Sequence, residues 1–314
     1  MNIFRISLVL AVFGILAMLI LLPNLNHPQL DTKDSGKLQV AVSFFVIEDV
    51  VRAVGGDEIN VVVRPAPGVD VHSFEPTARE IQAIYSSDIF FTYGAGIDAW
   101  AGRISDELKE TGVTVINLSD YLTLQNLDGV VAVDNDLVGS VDPHAWLDPV
   151  QVITMTETIA ETMASVDPKH ADIYQVNAEN YISSLEELNS DFNDGLGICE
   201  TRNIIVAHNA FNYLANRYNF TAFAIAGVSP DSEPSPKVMS QLTIKAQELG
   251  VSTIFFESLS SPKLSETIAQ ELSLQTMILN PVEGLTVEQQ AAGMTYVDVM
   301  RDNLANLRVA MSCQ

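Results

Sequence analysis

The stretch 167–192, DPKHADIYQVNAENYISSLEELNSDF, decides how the rest of the chain is read. Asp167 followed by Pro168 is a helix start: a carboxylate able to accept from the first free N–H groups, then a ring whose fixed φ suits the first turn. From there Ala171, Tyr174, Ala178, Tyr181, Leu185, Leu188 and Phe192 recur at spacings of three and four. That seam predicts a straight helix of about 25 residues, about 38 Å long at ~1.5 Å per residue, with one apolar stripe along it. The same start signal stands one helix earlier: Asp148 precedes Pro149, with Val152, Met155, Ile159, Met163 and Val166 behind them. The long seam is short for a coiled coil and contains two alanines. It therefore predicts a stiff strut between two lobes of one chain, and a monomer.

Outward from the strut, β-branched and aromatic runs alternate with helix-length segments. In the first half the runs are Leu38–Val42, Ile59–Val63, Asp88–Thr92 and Val113–Ile116; in the second they are Asn203–Ala207, Thr221–Ile225, Val251–Phe256 and Thr276–Leu279. Such alternation argues for an α/β fold of two lobes, each with a mostly parallel sheet flanked by helices, joined by one long rigid helix. The expected boundaries are 1–36 for a signal or anchor segment and tether, 37–147 for the first lobe, 148–196 for connecting helices, and 197–314 for the second lobe.

Composition narrows the function. The 47% apolar content is enough for a core in each lobe. Sixteen basic residues against 40 acidic ones give a net charge of −24. That balance argues against nucleic acid or an anionic lipid surface as partner, since both need clustered Lys and Arg. At the start, the uncharged run Ile6–Leu22 follows Arg5 and no Cys follows it, so an exported protein tethered by this hydrophobic segment is expected, without a lipid-modified cysteine. Two cysteines remain, Cys199 and Cys313. In an exported chain they are compatible with a disulfide worth about 2–5 kcal/mol, or with two buried thiols.

Five histidines are present. His27 lies in the tether and His170 in the first turn of the long helix, and both read as solvated or casually hydrogen-bonded rings. The other three share a setting. His72 ends the loop Pro65-Ala66-Pro67-Gly68-Val69-Asp70-Val71-His72 after a strand, His144 precedes a capped helix, and His208 follows Asn203–Ala207. Loops beyond the carboxyl ends of parallel strands are where open α/β sheets bind ligands, and neutral imidazole is a common zinc donor. Spacing alone is a weak signal, because no HExxH, HxH or CxxC pair links the three.

Several segments in register add to this. They are Pro67-Gly68-Val69-Asp70-Val71-His72-Ser73-Phe74-Glu75-Pro76-Thr77, Gly94-Ala95-Gly96-Ile97-Asp98-Ala99-Trp100, Asp142-Pro143-His144-Ala145-Trp146-Leu147-Asp148-Pro149, Ala207-His208-Asn209-Ala210-Phe211-Asn212-Tyr213-Leu214 and Phe256-Glu257-Ser258. Over roughly residues 38–312 the chain resembles the metal-binding receptors of zinc and manganese ABC importers, the cluster A-I or cluster 9 solute-binding proteins. The resemblance implies two lobes on one long helix, with His72 and His144 as metal ligands from the first lobe and His208 from the second. Histidine at the third position is similar to the zinc-binding subfamily. For the fourth ligand it implies Glu283, with Asn280 as the alternative, since many members carry Asp at that position. The stretch from about Gln125 to Asp142 holds Asp128, Asp134, Asp136 and Asp142 but no His, unlike the His-rich loop of many zinc members.

The implied function is capture of a divalent transition metal, Zn(II) ahead of Mn(II), outside the cytoplasm, and delivery to a permease driven by an ATPase. Three imidazoles and one carboxylate would close a tetrahedral shell, which binds and does not catalyse. Affinity is expected to fall below about pH 6.5. The alternatives are a manganese- or iron-selective receptor, an adhesin of the same fold, or an exported zinc hydrolase using Glu257 or Glu75 as base.

Overall fold

Each of the eight predicted strand runs forms a strand, and the strands pair in chain-distant order. In the computed structural model β1 (Leu38–Val42), β2 (Ile59–Val63), β3 (Ile89–Thr92) and β4 (Thr114–Asn117) make one parallel sheet, in the order β2-β1-β3-β4. A short antiparallel pair follows, β5 (Gln125–Asn126) with β6 (Val141–Asp142). Then β7 (Asn203–Val206), β8 (Thr221–Ala224), β9 (Thr253–Phe256) and β10 (Gln275–Ile278) make a second parallel sheet, β10-β9-β7-β8. Counted from its own first strand, the second sheet repeats the order of the first.

The structure describes residues 36–126, 141–225, 246–259 and 274–314, together with 244, 266, 269 and 270. The run Ile6–Leu22, the tether with His27, and Asp128, Asp134 and Asp136 fall outside them. Lys37–Gln314 belong to one compact unit. Among the described residues no helix is long and apolar enough to cross a membrane.

The helices are α1 (Phe45–Gly55), α2 (Ala78–Tyr85), α3 (Ala99–Glu110), α4 (Pro149–Val166), α5 (Ala171–Gly195), α6 (Asn212–Tyr218), α7 (Val287–Ala291) and α8 (Tyr296–Ala310). Asp148 caps α4 as its sequence predicts, accepting from Val150 N at 3.0 Å. Asp167 does not cap α5. A 3-10 turn, Pro168–His170, comes first, and the Asp167 carboxylate instead accepts from Tyr174 Oη at 2.8 Å and from His170 Nδ1 at 2.6 Å. The helix therefore starts three residues later than the Asp-Pro signal implies, and its 25 residues end at Gly195.

The long helix α5 is packed along its length. Near its start Asn177 Nδ2 donates to Val54 O of α1 and Tyr181 Oη donates to Asp49 of α1. Near its end Phe192 stacks on Tyr218 of α6 with centroids 4.8 Å apart, and Gly195 lies against Leu304 of α8.

The core departs from the expectation of one per lobe. Strand side chains alternate faces. Val40, Val42, Ile89 and Phe91 of the first sheet and Ile204, Val206, Ala222 and Ala224 of the second all enter one continuous apolar core with Tyr174, Leu185, Leu188 and Phe192 of α5. The alternate residues face outward into two separate clusters. Ala41, Val63 and Phe90 pack there with Trp100 and Leu108, and Ile205, Phe223 and Ile254 pack with Val251. The two sheets thus share an interior through α5.

Cys199 and Cys313 are disulfide-bonded, and their backbones form an isolated antiparallel bridge. The bond fastens the C-terminus to the residue that leads into the second sheet.

Candidate metal centre

Four loops converge where the two halves meet. His72 closes the loop after β2, where its backbone N–H donates to Asp70 Oδ1 at 2.7 Å. His144 follows β6 with the same device, its N–H donating to Asp142 Oδ1 at 3.0 Å. Each Asp-x-His triplet so folds its own turn and aims the ring. His208 stands two residues beyond β7, and Glu283 lies in the loop after β10. Across the site Gly68 N donates to Leu285 O at 2.8 Å, with Gly68 at φ +80°. A side chain on Gly284 would lie 3.1 Å from Val69 O, so this close approach of the two loops suits glycine.

The three rings point their Nε2 atoms at one oxygen. Glu283 Oε1 is 3.3 Å from His72 Nε2, 3.5 Å from His144 Nε2 and 3.5 Å from His208 Nε2. His144, His208 and Glu283 are buried, and His72 alone keeps some solvent contact, with 15% of its side chain exposed. The Nε2 atoms of His144 and His208 are buried without a hydrogen bond. A tetrahedron with metal–ligand bonds of about 2.0–2.1 Å has edges of about 3.3–3.4 Å. The three spacings from Glu283 Oε1 lie close to three of those six edges, and all four donor atoms lie within 4.8 Å of one another, so the donor set suits a zinc ion.

The outer nitrogens are held by carboxylates. His144 Nδ1 donates to Asp142 Oδ1 at 2.9 Å, and His208 Nδ1 donates to Glu257 Oε1. Such bonds leave Nε2 as the lone-pair donor and make it more basic. Burial depresses the His208 pKa, but Glu257 and Glu283 outweigh it and raise it to about 10. His144 is raised for the same reasons by Asp142 and Glu283, against burial. Burial opposes the charge on Glu283, yet the His144, His208 and His72 rings beside it hold its carboxyl well below the ordinary range.

Sequence reasoning overlooked Asp142 and Glu257 as partners of the histidines. Register supplies the missing signal: Val206 pairs with Phe255 across β7 and β9, so residues 208 and 257 leave adjacent strands side by side. Asn280 is buried beside the site, and its Oδ1 accepts from Val282 N at 2.8 Å. His170 lies outside the cluster, bonded to Asp167 and 3.2 Å from Glu58. Glu75 forms an exposed ion pair with Arg103 at 2.9 Å, and Glu257 accepts from His208.

The chain is similar to several zinc-binding proteins. The zinc-binding lipoprotein AdcA of Streptococcus pneumoniae (strain ATCC BAA-255 / R6) is 31% identical over 309 residues, which cover 97% of this chain and 60% of that protein. The chain therefore spans well under two thirds of the length of that relative. The crystal structure of the Zn(II)-bound ZnuA-like domain of Streptococcus pneumoniae AdcA superposes with a TM-score of 0.77 at 32% identity, covering 88% of this chain and 99% of that one. The high-affinity zinc uptake system protein ZnuA of Bacillus subtilis (strain 168) is 29% identical over 277 residues, 87% of each chain. The laminin-binding protein Lmb of Streptococcus agalactiae, described as bifunctional with adhesin and metal transporting activity, superposes with a TM-score of 0.76 at 29% identity, covering 87% of this chain and 99% of that one. Residues 40–310 match the family model for the periplasmic zinc-uptake complex component A, ZnuA, and the chain belongs to that family.

Proposed function

We propose that this chain captures Zn(II) outside the cytoplasm and hands it to the permease of an ABC importer, whose ATPase drives uptake. The carrying observation is the convergence of three imidazole Nε2 atoms on one oxygen of Glu283, at the edge lengths of a zinc tetrahedron. In this reading His72, His144, His208 and Glu283 are the four ligands. Three neutral rings and one carboxylate leave the occupied site at +1, with every zinc position filled by protein. Such a centre binds cargo and offers no bound water to activate. The lobes are residues 37–147 and 197–314, with 148–196 connecting them, and Ile6–Leu22 is the hydrophobic segment that anchors the chain at the outer face of the membrane.

The test is a calorimetric titration of the full, metal-stripped chain with zinc and with manganese, alongside His208→Ala. One zinc per chain, bound more tightly than manganese and about a hundredfold more weakly by the variant, is expected, since each of four ligands carries about 3 kcal/mol of a typical structural site. Absence of zinc binding, or binding untouched by the substitution, would make the histidines structural. A second reading, adhesion, is supported by the likeness to Lmb. Saturable binding to immobilised laminin would establish it beside zinc capture, and no binding would remove it.

A further inference from the structure

The loop that brings Glu283 to the histidines is held before it reaches them. Asn303, buried on α8, bonds both main-chain groups of Asn280. Its Oδ1 accepts from Asn280 N at 2.8 Å, and its Nδ2 donates to Asn280 O at 2.7 Å. Asn280 Oδ1 in turn accepts from Val282 N at 2.8 Å, and between them Pro281 O accepts from Trp146 Nε1 at 2.7 Å. Four main-chain groups in the three residues before Glu283 are thus bonded by side chains. Val282 itself stands at φ +59°, in the left-handed region that β-branched residues rarely occupy, with its side chain fully buried. A conformation of that kind persists only where its surroundings over-determine it.

We propose that Asn303 and Asn280 are positioning residues for the fourth ligand: their clasp presents Glu283 to the metal through one oxygen and so selects a four-coordinate ion over ions of higher coordination number. The proposal rests on the zinc reading of the site. Its physical link is the single oxygen, Oε1, that lies 3.3–3.5 Å from all three Nε2 atoms. Three nitrogens and one oxygen complete the shell that zinc prefers, whereas manganese favours more ligands and more oxygen. A loop free to slide would let both oxygens of Glu283 meet the ion, raising the coordination number and the oxygen share together. The role of Asn280 in the clasp is its accepting oxygen, which an aspartate would retain.

The test uses the full chain and three variants, Asn303→Leu, Asn280→Ala and Asn280→Asp, each stripped of metal. Cobalt(II) is added as probe, because its visible absorption is intense in a tetrahedral site and weak at higher coordination. Zinc and manganese affinities follow by competition. Asn303→Leu and Asn280→Ala are expected to lose much of the cobalt band, to bind zinc about 10–100-fold more weakly, as disrupted outer-shell partners do, and to narrow the zinc-to-manganese ratio. Asn280→Asp is expected to keep the wild-type band. A wild-type band and ratio in folded Asn303→Leu and Asn280→Ala, with only a lower Tm, would overturn the proposal. Should Asn303→Leu not fold, Asn280→Ala decides, because it leaves both Asn303 bonds to the main chain in place. A wild-type chain that takes up no zinc defeats the reading of the site itself. Zinc uptake by the wild type that Asn280→Ala leaves unaltered defeats the clasp alone.

Discussion

The two sheets have the same strand order and use it differently. In each, neighbouring strands send their connections to opposite sides, β1 and β3 in the first and β7 and β9 in the second, and a crevice opens beyond their carboxyl ends. In the first sheet the residues at those ends are Phe44 and Tyr93. With Trp146 they fill the crevice edge to face, with ring centroids 4.9–5.5 Å apart. In the second sheet the equivalent places carry His208 and Glu257, joined by a hydrogen bond. One crevice is filled by aromatic rings and the other holds a polar pair. In the proposed site the N-terminal half contributes His72 and His144 from outside its crevice, through the two Asp-x-His turns. Topology therefore provides the place, and the side chains at the strand ends decide its use.

Substitutions at the paired crevices separate these roles. Phe44→Ala should have the largest effect, lowering stability by about 3–5 kcal/mol in denaturant unfolding, while the folded protein keeps zinc affinity within about tenfold. An affinity loss as large as that of a ligand substitution would break the comparison. Next comes the junction that holds the halves in register. Asp49 of α1 accepts from Tyr181 Oη of α5 at 2.7 Å and from Tyr296 N of α8 at 3.2 Å. Burial, with Glu48 and Asp298 nearby, raises its pKa to about 6 from 3.8, against those two hydrogen bonds. Because the folded value lies above the unfolded one, its favourable contribution is full below about pH 4 and is lost as pH rises through 6. Asn at position 49 escapes that loss. Asp49→Asn should be the more stable protein at pH 8 by up to about 3 kcal/mol and indistinguishable near pH 4. A pH-independent offset in thermal unfolding would contradict this. The smallest effect belongs to Glu257→Gln, which keeps the accepting oxygen and removes the charge. Zinc affinity should fall about tenfold with little change in Tm, the reverse of Phe44→Ala. Loss of stability without loss of affinity would mean that the second crevice is packed like the first.

Much of this was legible along the chain because the relevant signals are local. β-Branched and aromatic runs between helix-length segments mark all eight strands, and Asp148-Pro149 marks the start of α4. His72, His144 and His208 stand out because each lies in a loop next to a strand or a helix start. What was not legible depends on pairs distant in sequence. Glu257 becomes the partner of His208 only once β7 and β9 are neighbours in a known register. The continuous core arises because the alternate residues of two separate sheets face the same helix, which no window of sequence contains. Asp167 misled for a related reason: Tyr174 and His170 compete for its carboxylate and win it from the helix end.

The shared interior also has a consequence in time. Helices α1 and α8 lie at opposite ends of the described chain, yet both pack on α5. Ribosomes extend a chain at roughly 5–20 residues per second, so α8 is completed on the order of ten seconds after α5. Through that interval the end of α5 waits without Leu304 and Arg301 of α8, its final neighbours at Gly195 and Asp191. The newborn N-terminal half carries a helix whose packing is complete only when residue 310 arrives.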